Sequence, residues 1–108
     1  MRHPTINASL ASAGVDVTGT DYSFAVLAEM TCNILPEPHQ EGFIMFAKCL
    51  FQKRGDPVYM DKLLQLTFDC PEQSFFVKRM AAAGCSQADV DTFLFHMKQM
   101  FNTLRKRS

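Results

Sequence analysis

The sequence has no excess charge of either sign and no long apolar run. Eleven basic and eleven acidic side chains cancel, so no overall field would draw the chain to nucleic acid or to an anionic membrane. No stretch approaches the roughly 18 to 20 apolar residues that a membrane-spanning helix needs. The first seven residues also lack the apolar segment of a secretory signal. We therefore expect a soluble, cytoplasmic protein with no membrane partner.

No metal-binding pattern is present either. The cysteines carry no C-x-x-C pair and no neighbouring histidine, and they lie far apart at Cys32, Cys49, Cys70 and Cys85. Because free cysteines are among the most buried residue types, we expect four reduced thiols that act as small apolar core residues.

Neither a catalytic constellation nor a cofactor-binding loop is indicated. None of the candidate nucleophiles and bases lies in a nucleophile elbow or beside a glycine-rich turn; these candidates are Cys49, Cys85, His39 and His96. The five glycines occur singly, whereas phosphate-binding loops need several glycines in a short run. We therefore predict no catalytic residues, no metal and no cofactor, and a protein that is not an enzyme.

The composition is that of one folded domain, with 47% hydrophobic and 20% charged residues among 108. Residues 1–20 are rich in Ser, Ala, Thr and Gly and have only isolated apolar positions, which predicts a flexible N-terminal arm. From residue 21 onward apolar residues recur with the period of an α-helix, and no segment alternates as a strand does. A single helical domain is therefore expected over 21–108.

Prolines, glycines and capping residues divide this region into five predicted helices, at 21–35, 38–54, 57–69, 71–83 and 86–106. The last helix has the most regular apolar stripe and places Phe93, Met97 and Phe101 in the predicted core. Because short connections favour antiparallel neighbours, the predicted fold class is all-α, a compact bundle of about five short helices.

The most specific local pattern covers residues 80–94 and resembles the helix-turn-helix family. The residues that match its spacing are Gly84, Ser86, Gln87 and Val90. The positions that would face DNA contain no Lys or Arg, and the carboxylates of Asp89 and Asp91 would repel phosphates. These residues favour the explanation that the pattern is an ordinary helical corner made by a glycine cap and a serine cap. DNA-binding transcriptional regulation is the alternative function.

Large apolar residues also fall on helix faces opposite the predicted core stripes. The predicted partner-binding residues are Met45, Cys49, Phe75, Phe95 and Met100. Either these residues are core residues of helices that are buried on every face, or they form a homodimer interface or a partner-binding surface. Seven methionines and ten phenylalanines favour the second explanation, because thioethers and rings are enriched in adaptable interfaces.

In its length, its N-terminal arm, its proline-punctuated helices and its apolar second faces, the chain resembles the small all-helical bacterial antiactivators of LuxR-type quorum-sensing regulators. This resemblance implies inhibition by occlusion, in which apolar helix faces cover the dimerisation surface of a transcription factor. An interface of about 1,500 Å² around a few aromatic anchors can reach the affinity that this needs. We therefore predict a non-enzymatic regulator that binds another protein and is itself a homodimer.

Overall fold

The computed structural model describes residues 6–105, and this part of the chain is helical throughout, with no β-strand. Its α-helices are α1 (Ile6–Ser12), α2 (Tyr22–Ile34), α3 (Gln40–Gln52), α4 (Pro57–Phe68), α5 (Phe75–Ala82) and α6 (Gln87–Arg105). Short 3₁₀ helices at Glu37–His39 and Pro71–Gln73 precede α3 and α5. The predicted all-α class is confirmed, with six α-helices in place of about five.

The N-terminal segment departs most from the sequence-based prediction. Residues 6–12 form α1, in which Ile6 and Leu10 lie one turn apart and are buried against the rest of the molecule. After Gly14, whose φ is +95°, Val15 is buried as well. The predicted flexible arm is therefore wrong for residues 6–15, because α1 packs against α2 and α3 and its apolar side chains, like that of Val15, are buried. Residues 1–5 of that arm lie outside the described residues.

The predicted helix boundaries hold to within one residue for α2, α4 and α6, although residue 106 lies outside the described part. Prolines change the other two helices. The prediction that one helix covers 71–83 is wrong, because Ser74 has extended backbone (φ −64°, ψ 136°) and separates the 3₁₀ helix at Pro71–Gln73 from α5. In the same way the helix predicted from residue 38 begins as a 3₁₀ helix and becomes α3 at Gln40.

The core is organised around α6, which packs along α2 and also contacts α4. At its centre the rings of Phe43, Phe76 and Phe93 pack against one another, with centroids 5.4 to 6.1 Å apart and mostly in edge-to-face geometry. Further along α6, Met97 and Phe101 are also buried. The core positions predicted from the α6 stripe are thereby confirmed.

Candidate functional site

Four of the five predicted partner-binding residues are exposed to solvent. The exposed fraction is 57% for Met45, 56% for Phe75 and 61% for Phe95, and Cys49 is exposed too. Met45 and Cys49 lie one turn apart on the outer face of α3, Phe75 begins α5, and Phe95 lies on the outer face of α6. These residues therefore occupy three helices and are not core.

The prediction that Met100 is a partner-binding residue is wrong, because Met100 is fully buried. It follows Phe93 by seven residues on α6, which is two helical turns, so it lies on the same stripe as the core residues. Its thioether sulfur lies 3.6 Å from the hydroxyl oxygen of Thr31 on α2, which donates its proton to the Leu27 carbonyl at 2.6 Å. Met100 is thus part of the contact between α2 and α6 and is not available to a partner.

The structure also exposes large apolar residues that the sequence analysis missed, namely Tyr22, Met30, Val58 and Leu66. Leu66 is the most informative of these. It lies in α4 beside the stripe that contains Leu63, Leu64 and Thr67, and it is 59% exposed. A helical wheel of α4 would have shown that Leu66 lies off this stripe.

Leu66 and Phe75 both line an apolar groove to which α4 and α5 contribute. The groove has a volume of about 360 Å³ and is lined by Phe46, Leu66, Thr67, Cys70, Gln73, Ser74, Phe75, Phe76 and Met97. The phenylalanines are packed on one another, since Phe76 lies 5.7 Å from Phe46 and 5.3 Å from Phe75 between ring centroids. Phe75, one of the predicted partner-binding residues, therefore lies at a concave surface.

A cation stacks on the exposed ring of Phe75. The guanidinium carbon of Arg79 lies 4.7 Å from the ring centroid, and Lys78 is exposed beside it on α5. Because Arg79 follows Phe75 by four residues, the helix itself brings the two side chains together. This part of α5 therefore presents an aromatic surface with positive charge at its edge.

A second concavity, lined by other residues of α5, contains carboxylates. Its volume is about 370 Å³, and it is lined by Pro71, Glu72, Val77, Ala81, Cys85, Gln87, Val90, Asp91 and Leu94. Two carboxylates, Glu72 and Asp91, belong to this lining, and no cation does. The lining of this concavity is therefore acidic, whereas the lining of the apolar groove contains no charged residue.

A third concavity, of about 470 Å³, includes Arg54, Asp61 and Arg105 in its lining. Arg54 is already engaged there: its Nη1 donates to the Phe51 carbonyl at 2.7 Å and its guanidinium carbon lies 3.8 Å from the centroid of the Phe51 ring. A cation at the carbonyl end of a helix is stabilising, so this arginine serves the C-terminus of α3.

The stretch that resembles a helix-turn-helix forms a well-defined corner between α5 and α6. Gly84 has φ +82°, and the N–H of Cys85 donates to the Met80 carbonyl at 3.0 Å, which is a Schellman C-cap. The Ser86 hydroxyl then accepts from the N–H of Asp89 at 3.2 Å and caps α6. The matching residues are therefore explained by the capping of two helices.

The outer surface of this corner is acidic and internally bonded. The Gln87 amide donates to the Asp91 carboxylate at 2.9 Å, and the Thr92 hydroxyl donates to the carbonyl of Ala88 at 2.9 Å. The side chains that would read base edges are thus already partnered within the helix. Such a face lacks the cations that supply most of the affinity of a DNA-binding surface.

The four cysteines differ in burial, which corrects the expectation that all are core residues. Only Cys32 is buried; Cys85 is intermediate, and Cys49 and Cys70 are exposed. Burial, with a smaller contribution from the carboxylates of Glu41 and Glu29, raises the pKa of the Cys32 thiol to about 11. Cys32 is therefore unreactive at neutral pH, whereas Cys49 and Cys70 are accessible.

Among the candidate nucleophiles and bases, His96 is the one whose pKa is shifted. Burial lowers this pKa, and the buried Nδ1 of His96 has no hydrogen-bond partner within residues 6–105. Within the same range no three His, Cys, Asp or Glu side chains are grouped as metal ligands, and no helix is long and apolar enough to cross a membrane.

Comparison of the chain with protein-family models, with characterised proteins and with solved structures finds no match.

Proposed function

We propose that the protein is a non-enzymatic regulator that binds another protein and sequesters it through exposed apolar helix faces. The observation that carries the proposal is the exposure of Met45, Phe75 and Phe95, all more than half accessible. Single exposed apolar residues are common on any protein. Phe75 differs because it lies with Leu66 on a preformed apolar groove, and such clusters mark binding surfaces.

Sequestration fits this surface better than catalysis does. Exposed rings and thioethers are typical anchors of protein interfaces, because they bury much area at a low cost in side-chain entropy. The partner we favour is a transcription factor whose own dimerisation surface would be covered, and we also propose a homodimer. The partner's active dimer would then be lost without any chemical step.

DNA binding is the less favoured function. The corner at Gly84 resembles a helix-turn-helix in its sequence, but its exposed face carries Asp89 and Asp91 and no cation between residues 84 and 92. The wild-type protein should therefore not shift duplex DNA at low salt. Sequence-selective binding at physiological salt would reverse this ranking.

The test is a set of charge insertions read by sedimentation and by thermal melting. Phe95→Asp and Met45→Asp should abolish self-association or partner binding while the helical signal and the Tm change little, because only the bound state buries the new carboxylate. Val58→Asp, at a residue that is 77% exposed and outside the predicted set, is the matched control and should leave association intact. Met100→Asp, at a fully buried residue, should unfold the protein.

Two results would contradict the proposal. One is a wild-type protein that stays monomeric at every concentration tested and retains no partner from the native host. The other is normal association of both Phe95→Asp and Met45→Asp as folded proteins.

A further inference from the structure

The groove between α4 and α5 is the surface on which a partner can be specified by its chemistry. Its apolar side chains come from four helices: Phe46 from α3, Leu66 from α4, Phe75 and Phe76 from α5, and Met97 from α6. The floor is rigid, because Phe76 and Met97 are buried in the core. At about 360 Å³ the groove is at the small end of ligand sites, a size suited to one or two apolar side chains.

Positive charge next to the groove indicates which class of partner would bind there. The guanidinium carbon of Arg79 lies 4.7 Å from the centroid of the Phe75 ring, which lines the groove, and Lys78 is exposed one residue before Arg79 on α5. The carboxylate of Glu72 lines the other concavity. An apolar side chain entering the groove would therefore bring its neighbours close to positive charge.

We propose that this groove is the anchor site for an acidic amphipathic helix of the partner, whose large apolar residue enters the groove while adjacent carboxylates pair with Lys78 and Arg79. The proposal rests on the proposed function and deepens it by naming the surface and the partner's chemistry. Helix-in-groove recognition uses apolar residues at i, i+3 and i+4, which matches a cleft lined by several helices. Charge pairs at its edge would add orientation and on-rate.

The probe is a fluorescent helical peptide with Leu and Phe at i and i+4 and Glu at the flanking positions, titrated against the full chain. Its matched control is the same peptide with Lys in place of each Glu. We expect saturable binding of the acidic peptide, weakened by salt, and at least about tenfold weaker binding of the basic one. Equal affinity for the two peptides, or no binding of the acidic peptide, would overturn the proposal.

Variants of the protein test the same groove from its own side. Phe75→Ala and the double charge reversal Lys78→Glu/Arg79→Glu should each weaken acidic-peptide binding by about tenfold or more at unchanged Tm. Lys62→Glu/Lys98→Glu, which reverses two exposed cations on α4 and α6, controls for net charge and should bind as the wild type does. Loss of affinity in the control equal to that in the double reversal would show that only overall charge matters.

The native cysteines supply a footprint that separates this inference from the proposed function. Cys70 lines the groove, Cys49 is exposed on α3, and Cys85 lines the acidic concavity. Bound acidic peptide should slow alkylation of Cys70, measured by mass spectrometry, and leave Cys49 unchanged. Protection of Cys49 or Cys85 without Cys70 would refute the groove while sequestration stands; a chain that binds no protein at all would refute both.

Discussion

Replacing Phe93 by alanine tests whether the aromatic centre of the bundle is packed as described. Phe93 is fully buried, and its ring has edge-to-face or tilted contacts with Phe43 at 6.0 Å and Phe76 at 6.1 Å. Burying a phenylalanine contributes about 1.5–3 kcal/mol, and each aromatic pair adds about 0.5–1.5 kcal/mol. With the cavity left behind, Phe93→Ala should lower the free energy of unfolding by about 3–5 kcal/mol.

Such a loss is large, because domains of this size have a total stability of roughly 5–15 kcal/mol. In urea denaturation followed by circular dichroism, a loss of about 4 kcal/mol moves the midpoint down by roughly 1–4 M. The matched control is Phe95→Ala, two residues further along the same helix, where the ring is 61% exposed. This variant should lose about 0.5 kcal/mol or less.

Equal losses at the two positions would refute the reasoning, because the substitutions are chemically identical and differ only in burial. A loss under about 1 kcal/mol at Phe93 would likewise show that the ring is not enclosed by Phe43 and Phe76.

Two further predictions concern backbone conformation and pH. Gly84→Ala should destabilise the protein by about 1–2 kcal/mol, because Gly84 has φ +82°. Gly42→Ala within α3 should instead stabilise it by about 0.5–1 kcal/mol, because alanine favours the helix more than glycine does. An added Cβ meets no atom within 4 Å at either site, so the two variants should shift the Tm in opposite directions, and shifts of the same sign would contradict this argument. Burial lowers the pKa of His96 below its ordinary value of 6.5, so below about pH 6.5 the unfolded chain binds the proton more readily and stability is lost as the pH falls. His96→Gln should reduce the drop in urea midpoint between about pH 7.5 and about pH 5.5, one unit either side of an ordinary histidine pKa, and an unchanged drop would exclude His96 as its source.

The candidate surface could be predicted in part from helical periodicity. Met45, Phe75 and Phe95 fall opposite the apolar stripes of their own helices, and all three are exposed. Met100 shows where the approach fails, because it lies two turns from Phe93 and its thioether meets Thr31 of another helix. A helix taken alone cannot reveal which neighbour covers it. The groove could not be predicted from the sequence for the same reason, because its lining residues lie up to 51 positions apart, from Phe46 to Met97.

The sequence by itself determined the all-α class and the positions of α2, α4 and α6, because proline, the Gly84 cap and the Asp56 cap act within a few residues of where they stand. Only the tertiary structure decided that residues 6–12 form a packed helix, since Ile6 and Leu10 gain stability from α3 and α2 and not from local propensity. It also decided which apolar residues are covered, because burial depends on how whole helices meet.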